Sequence, residues 1–334
     1  MLLLIQVIVC VLLVIIVGTW LSRSADMIAE KTGLGRSWVG AILLAGATSL
    51  PELAVGISAV VVFNAPDLAA GGIFGSCLFN LFILALLDIV TGPDPLLRRA
   101  QISHVLAAGL GSILLGIAAV GILLAQRNNN LILGWVGMPS IVLLVLYLVS
   151  ARIIAQFELR RRAEVLEQEV EVFQYEHISR QQSYLMFALL ALAIVVLGVW
   201  LASLGDRIAT VTGLGQSFIG ALLLAATTSL PEVVTGVAAV RLNAVDLAVS
   251  NVFGSNIFNM GILSIYDLTY LQGDLWSNIS SVHIFTAIVA MMMTSVAIAG
   301  LIYRAARPSR IYITWDGMAL ILLYIGGMYV IYRS

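Results

Sequence analysis

The sequence predicts an all-α polytopic membrane protein, with ten transmembrane helices built as two inverted five-helix repeats. Three observations predict it. Of the 334 residues, 61% are hydrophobic and 10% charged, with a mean hydropathy of +1.05. A soluble domain carries about 45–50% apolar and about 25% charged residues. Ten stretches reach the ~20 mostly apolar residues that a spanning helix needs. Finally, the chain aligns with itself at an offset of 180 residues.

The expected spans fall near 2–22, 37–63, 66–90, 101–125, 133–153, 182–203, 217–241, 244–268, 283–303 and 315–332. The first could be a signal peptide, but no basic segment precedes it and the sequence around Trp20 returns at Trp200, so it reads as a helix. The second and seventh contain Pro51 and Pro231 in mid-span. The third and eighth open on Asp67 and Asp246, where a carboxylate suits the positive end of the helix dipole; both read as caps first and as vestibule residues second. His104 and His283 stand near the starts of the fourth and ninth and read as interfacial packing ahead of a proton relay. Between the fifth and sixth, residues 154–181 carry Arg160–Arg162 and then Glu164, Glu167, Glu169, Glu171 and Glu176. The spacing is that of an exposed helix face and lacks the glycine turn of a calcium loop, so this is a solvated cytoplasmic linker or short helix. The chain thus divides into repeats 1–153 and 182–334 around a 154–181 linker. All six tryptophans lie near span ends or in a connection, as in an interfacial aromatic belt.

Ten spans make the connections alternate sides, and the 17 basic residues then split 14 to 3. Arg98, Arg99 and Arg160–Arg162 are on the rich side; Arg127, Arg207 and Arg333 are alone on the other. The positive-inside rule makes the rich side cytoplasmic, with both termini outside a multi-pass protein of the cell membrane. A net charge of −1 excludes a basic nucleic-acid binder. Cys10 and Cys77 are too far apart in sequence to suggest a disulfide framework or a thiolate metal site.

The self-alignment is the most informative feature. Residues 33–60 match 213–240 at 17 of 28 positions, and 67–80 match 246–259 at 8 of 14. The correspondence extends to the pairs Asp26/Asp206, Asp88/Asp267 and His104/His283. Five spans per repeat is an odd number, so the second copy must enter the membrane from the opposite side. Inverted repeats are a transporter architecture, with the substrate site at the repeat interface near the midplane. Shared packing accounts for the duplicated glycines. It does not account for Glu52 and Glu232, which lie deep in their spans, where a charge costs at least about 2.5–3.5 kcal/mol.

Proline lacks an N–H and clashes with the preceding turn, so Pro51 and Pro231 break their helices and leave the carbonyls of Ala47 and Thr227 without helical donors. Thr48 and Ser49 share a face with Glu52, as Thr228 and Ser229 do with Glu232; Ser76 is i,i+4 from Asn80, and Ser255 from Asn259. Together these give two carboxylates, two amides, at least four hydroxyls and freed carbonyls. Hard oxygen donors suit Ca²⁺, which takes 6–8 of them, and also Na⁺.

These residues resemble the two α-repeats of the cation/calcium antiporter superfamily, most closely its sodium/calcium exchanger branch. The resemblance rests on Thr48–Glu52 with Thr228–Glu232 and on Gly75–Asn80 with Gly254–Asn259. It implies ten helices, a central diamond of four acidic or amide residues, and antiport of Ca²⁺ and Na⁺ by alternating access as the first and sixth helices slide. Glu52 and Glu232 would bind Ca²⁺ with the carbonyls of Thr48 and Thr228. Ala45, Thr48, Ser49 and Ser76 would form one Na⁺ site, and Ala225, Thr228, Ser229 and Ser255 its mirror image. Asn80 and Asn259 would complete the diamond. This chain departs from the pattern in three places: many prokaryotic members have aspartate where Asn259 stands, Ala47 replaces the usual glycine, and Cys77 replaces an asparagine. The runner-up function is a proton-coupled calcium exchanger, since a buried glutamate can carry H⁺. A passive cation channel is less well supported, because an open pore has no need of two pseudo-symmetric broken helices. No nucleotide loop, nucleophile triad or catalytic metal motif occurs, so an enzyme is not expected and neither is a resident cofactor. The expected partners are the two ions and the lipid bilayer, with a monomer sufficient for transport.

Overall fold

The computed structural model describes residues 2–32, 35–92, 94–127, 132–166, 178–212, 225–304 and 313–333. These are nearly all helical: α1 (Leu2–Thr32), α2 (Arg36–Val61), α3 (Pro66–Thr91), α4 (His104–Gln126), α5 (Met138–Leu166), α6 (Arg180–Thr212), α7 (Leu230–Arg241), α8 (Val245–Thr269), α9 (Val282–Tyr303) and α10 (Trp315–Arg333). A two-residue hairpin, β1 (Ile132–Leu133) and β2 (Val136–Gly137), joins α4 to α5 with Leu133 paired to Val136.

Among the described residues, eight helices are long and apolar enough to cross a membrane: α1 to α6, α9 and α10. The seventh and eighth expected spans fall short for different reasons. Only 12 helical residues belong to α7; residues 217–224, the expected start of that span, lie outside the described residues. By contrast, α8 has 25 residues but carries Ser250, Asn251, Ser255, Asn256, Asn259 and Ser264, all buried. It is an interior helix enclosed by protein, where hydropathy no longer reports depth.

Packing follows the repeat. Helix α3 lies against α8, α9 and α10, while α8 lies against α3, α4 and α5; α1 and α6 pack on each other. Two duplicated aspartates hold matching joints. Asp88 Oδ1 accepts the Leu96 N–H at 2.8 Å, and its Oδ2 accepts the Thr314 N–H and hydroxyl at 3.1 and 2.9 Å. Asp267 Oδ1 accepts the Leu275 N–H at 2.8 Å, and its Oδ2 accepts from Gly137 N and Ser140 Oγ at 2.8 and 2.6 Å. Each carboxylate therefore ties the end of an interior helix, α3 or α8, to the start of α10 or α5. Glycine permits the closest helix approach: a Cβ on Gly254 of α8 would strike the backbone of Ala41 in α2.

Several helices outrun their expected spans. Helix α1 continues from 22 to Thr32 and α6 from 203 to Thr212. The extension of α1 carries a buried Asp26 made tolerable by Arg36, whose Nε lies 2.5 Å from Asp26 Oδ1. Helix α5 continues 13 residues past 153 to Leu166, so the first part of the expected linker is a helical extension of the fifth span; residues 167–177, with four of the linker glutamates, lie outside the described residues, as do Arg307 and Arg310. Trp276 does not belong to an interfacial belt. It is fully buried in a 3-10 turn (Leu275–Asn278), with its indole N–H donated to Ser140 Oγ at 2.8 Å. A buried indole needs such a partner.

Candidate functional site

The site begins with two broken helices. In α2 the backbone runs through a π-helical turn at Val39–Leu44 and an α turn at Ala45–Thr48, then leaves helical geometry at Ser49, with φ −91° and ψ 3°. A new helical segment starts at Leu50 with Pro51 in its first turn, where a missing N–H does no harm. The second copy repeats this: Ser229 has φ −88° and ψ 7°, and α7 starts at Leu230 with Pro231. Glu52 and Glu232 consequently fall in the first turn of a half-helix, whose positive dipole end favours a carboxylate.

The two copies meet by exchanging hydrogen bonds. Ser49 Oγ donates to Glu232 Oε1 and Ser229 Oγ donates to Glu52 Oε1, both at 3.0 Å. Ser229 Oγ also reaches Ser76 Oγ at 3.2 Å, and Ser76 Oγ lies 3.5 Å from Glu52 Oε1. Glu52 is 5% exposed and Glu232 fully buried. Next to them, the amides of Asn80 and Asn259 turn their nitrogens away. Asn80 Nδ2 donates to Asn256 Oδ1 at 3.1 Å, Asn256 Nδ2 to the Cys77 carbonyl at 3.3 Å, and Asn259 Nδ2 to Cys77 Sγ at 3.8 Å.

What this leaves over is informative. Glu52 Oε2, Glu232 Oε2, Asn80 Oδ1, Asn259 Oδ1 and Ser255 Oγ are buried without a hydrogen-bond partner. A buried acceptor with no donor is costly, and more so when charged. Five such oxygens on the two broken helices and the two interior helices that follow them make an all-oxygen donor set of the kind hard cations take. Among the described residues no three His, Cys, Asp or Glu gather as a conventional metal cluster, so the set consists of two carboxylates and neutral oxygens.

Of the sequence-derived residues, Glu52, Ser229 and Ser76 form one hydrogen-bonded group and Glu232 pairs with Ser49, while Asn80 and Asn259 are linked to each other through Asn256 and Cys77, the neighbour of Ser76. Thr48 and Thr228 are buried, with their hydroxyls bonded back to the Ala45 and Ala225 carbonyls at 3.3 Å. The same two carbonyls accept the N–H groups of Ser49 and Ser229 at 3.0 Å. Sequence reading missed Tyr266, whose hydroxyl donates to the Glu52 carbonyl at 2.6 Å and whose ring occupies the space a Cβ on Gly56 would need. Its counterpart Leu87 faces Gly236, so nothing in the repeat marks it. A cavity lined by Glu52, Val55, Leu68, Gly72, Thr228 and Tyr266 leads away from the group.

Asp67 and Asp246 prove not to cap their own helices. Asp67 Oδ1 accepts the Ser280 N–H at 2.6 Å and lies 2.9 Å from His283 Nε2; Asp246 Oδ1 accepts the Gln101 N–H at 2.8 Å and lies 2.9 Å from His104 Nε2. The two histidines are thus half of matched Asp–His pairs that join the repeats at either face, beyond the packing role expected from sequence.

Comparison with known proteins agrees with this architecture. The profile of the family described as "Sodium/calcium exchanger protein" matches residues 2–155 and 182–333. An uncharacterized membrane protein of Methanocaldococcus jannaschii is 24% identical over 312 residues, covering 92% of this chain and 90% of that one. The inner membrane protein YrbG of Escherichia coli is 27% identical over 77% of this chain and 76% of its own length. The sodium/potassium/calcium exchanger 5 of Homo sapiens is 30% identical over 147 residues, 44% of this chain and 27% of that protein. A solved structure of the sodium-calcium exchanger NCX_Mj soaked with Na⁺ and Sr²⁺ shares the fold with a TM-score of 0.72, at 21% identity over 98% of each chain.

Proposed function

Because the chain belongs to the sodium/calcium exchanger protein family, we propose that it exchanges Ca²⁺ for Na⁺ across the membrane by alternating access, with both ions taken up between Glu52 and Glu232. The supporting observation is the set of five buried, partnerless oxygens around two carboxylates. With both glutamates ionised the group carries −2, which one Ca²⁺ neutralises. Ca²⁺ would take one carboxylate oxygen from each glutamate with the carbonyls of Thr48 and Thr228. Na⁺ would use Ala45, Thr48, Ser49 and Ser76 on one side, and Ala225, Thr228, Ser229 and Ser255 on the other. Asn80 and Asn259 each offer an Oδ1 already turned away from its nitrogen's partner.

Alternating access would come from α1 and α6 sliding as a pair over a fixed frame. The aspartate joints support this division, since they hold α3 to α10 and α8 to α5 and include neither α1 nor α6. The two repeats, 1–153 and 182–334, would be inverted about a pseudo-two-fold axis, as the reciprocal contacts Ser49–Glu232 and Ser229–Glu52 suggest.

The test is ⁴⁵Ca²⁺ uptake into proteoliposomes, driven in turn by a Na⁺ gradient and by a pH gradient. Uptake should follow the Na⁺ gradient. Uptake that follows only the pH gradient would replace this reading with proton-coupled exchange. Orientation has its own test: a tag inserted in the 167–177 segment should be shielded from impermeant reagents in intact cells, and a tag after Ser334 should react. The opposite pattern would reverse the charge-based topology.

A further inference from the structure

The two repeats differ one turn away from the central glutamates. On the side of the α2–α3 turn, Val55 lies one turn beyond Glu52 and Gly72 one turn before Ser76, and both line the cavity that reaches Glu52. Leu68, at the outer end of that cavity, is 39% exposed. The corresponding positions of the other repeat are Thr235, Asn251 and Leu247. Here the way is shut: all three are fully buried. It is also polar. Asn251 Nδ2 donates to Thr235 Oγ1 at 3.4 Å, while Asn251 Oδ1 has no partner. On α1, a Cβ at Gly18 would meet Val234 and Thr235. Ser22, one turn further on the same face, is fully buried and its Oγ is partnerless. Its counterpart in the other repeat is Ala202. Thr235 and Asn251, bonded to each other, and Ser22, on the α1 helix whose Gly18 meets Thr235, thus answer to valine, glycine and alanine in the other repeat.

Packing alone does not favour this substitution, because a buried amide oxygen without a donor is destabilising. The depth is also specific. Asn251, Ser255 and Asn259 follow one another at four-residue intervals on α8, with Asn251 about 9 Å from the helix start and Thr235 one turn from Glu232 on α7. The seam therefore leads from the α7–α8 turn to the central group.

Building on the exchange reading above, we propose that Ser22, Thr235 and Asn251 form a Na⁺ subsite on the route from the α7–α8 face, with no equivalent on the α2–α3 face. Its donors are all neutral oxygens, which suits a monovalent cation better than Ca²⁺, for which desolvation without a carboxylate is far more costly. In the state seen here the seam is closed over the partnerless Ser22 Oγ and Asn251 Oδ1, with Thr235 Oγ1 donating back to the Pro231 carbonyl at 2.8 Å. When α1 and α6 slide it opens, and Na⁺ arriving from that face meets these oxygens before it meets the glutamates. The two faces then differ in their affinity for Na⁺ although the central group is shared.

The experiment measures the Na⁺ concentration for half-maximal Na⁺-driven ⁴⁵Ca²⁺ movement with Na⁺ applied at each face of oriented proteoliposomes. The double variant Thr235→Val with Asn251→Gly gives this repeat the residues of the other. It should raise the half-saturating Na⁺ at the α7–α8 face about tenfold, the usual effect of losing a ligand to a charged group, and leave the α2–α3 face unchanged. Two milder variants guard against misfolding. Thr235→Val alone should shift the same constant in the same direction, and Asn251→Asp, which adds a carboxylate, should lower it. An equal change at both faces, or none at either, would overturn the subsite while leaving exchange at the central group intact. An unsubstituted protein that moves no Ca²⁺ on a Na⁺ gradient would overturn both readings, a result seen before any variant is made.

Discussion

Glu52→Gln and Glu232→Gln are each expected to abolish Ca²⁺ transport, lowering Na⁺-driven ⁴⁵Ca²⁺ uptake by ~100-fold or more, while the protein still inserts and purifies as a single species. Glutamine keeps the volume of glutamate and an oxygen that accepts from Ser229 or Ser49, so the exchanged hydrogen bonds between the repeats survive. What is lost is one of the two carboxylates of a buried group. A Ca²⁺ ion then leaves its water for a site of net charge −1, and the uncompensated positive charge in a low-dielectric interior costs several kcal/mol. Each 1.4 kcal/mol is about tenfold in binding. The fold should tolerate the change, since removing an unpaired buried charge relieves a penalty. Near-normal transport by either variant would show that the two carboxylates do not share the ion.

Voltage should move the transport equilibrium by about 50-fold per 100 mV. The expected exchange of three Na⁺ for one Ca²⁺ would carry one net charge across the membrane per cycle. One charge moved across 100 mV is worth about 2.3 kcal/mol, which converts to roughly that factor. Asn80 and Asn259 make the outcome informative. With amides at both positions the empty group carries −2, so two Na⁺ would already neutralise it and exchange would be silent to voltage. We favour three, because an amide oxygen can hold a water beside the carboxylates and so spread the third charge. Clamping vesicles with K⁺ and valinomycin at fixed Na⁺ and Ca²⁺ gradients should displace the point of zero net Ca²⁺ flux. A null point indifferent to voltage would favour two-for-one coupling.

The helices and the central residues were legible in the sequence because apolar length and internal duplication both leave marks in one dimension. Pro51, Glu52, Ser76 and Asn80 each have a twin, and a twin of a costly residue deep in a span is hard to explain by packing. What escaped was whatever broke the duplication or acted across it. Tyr266 has Leu87 as its counterpart, so its hydrogen bond to the Glu52 carbonyl could not be inferred from the repeat. Asp67 and Asp246 were visible as a pair, but their histidine partners lie 216 and 142 residues away in sequence, beyond the reach of any local rule. Helix α8 misled in the opposite sense. Apolar length placed it among the ten expected spans, yet its buried amides and hydroxyls lower its hydropathy and leave it outside the eight described helices apolar enough to cross a membrane.

The crossed serines also bear on how such a chain is put together. Ser49 serves the carboxylate of the second repeat and Ser229 that of the first, both at 3.0 Å, whereas within its own repeat Glu52 is reached by Ser76 at a longer 3.5 Å. During synthesis the first repeat is made before Ser229 exists, so the crossed pair of hydrogen bonds forms only when the second half of the chain joins the first. Joining the halves and completing the group are the same event, so a chain truncated after its first repeat would keep every residue of one motif and lack the facing carboxylate and serine.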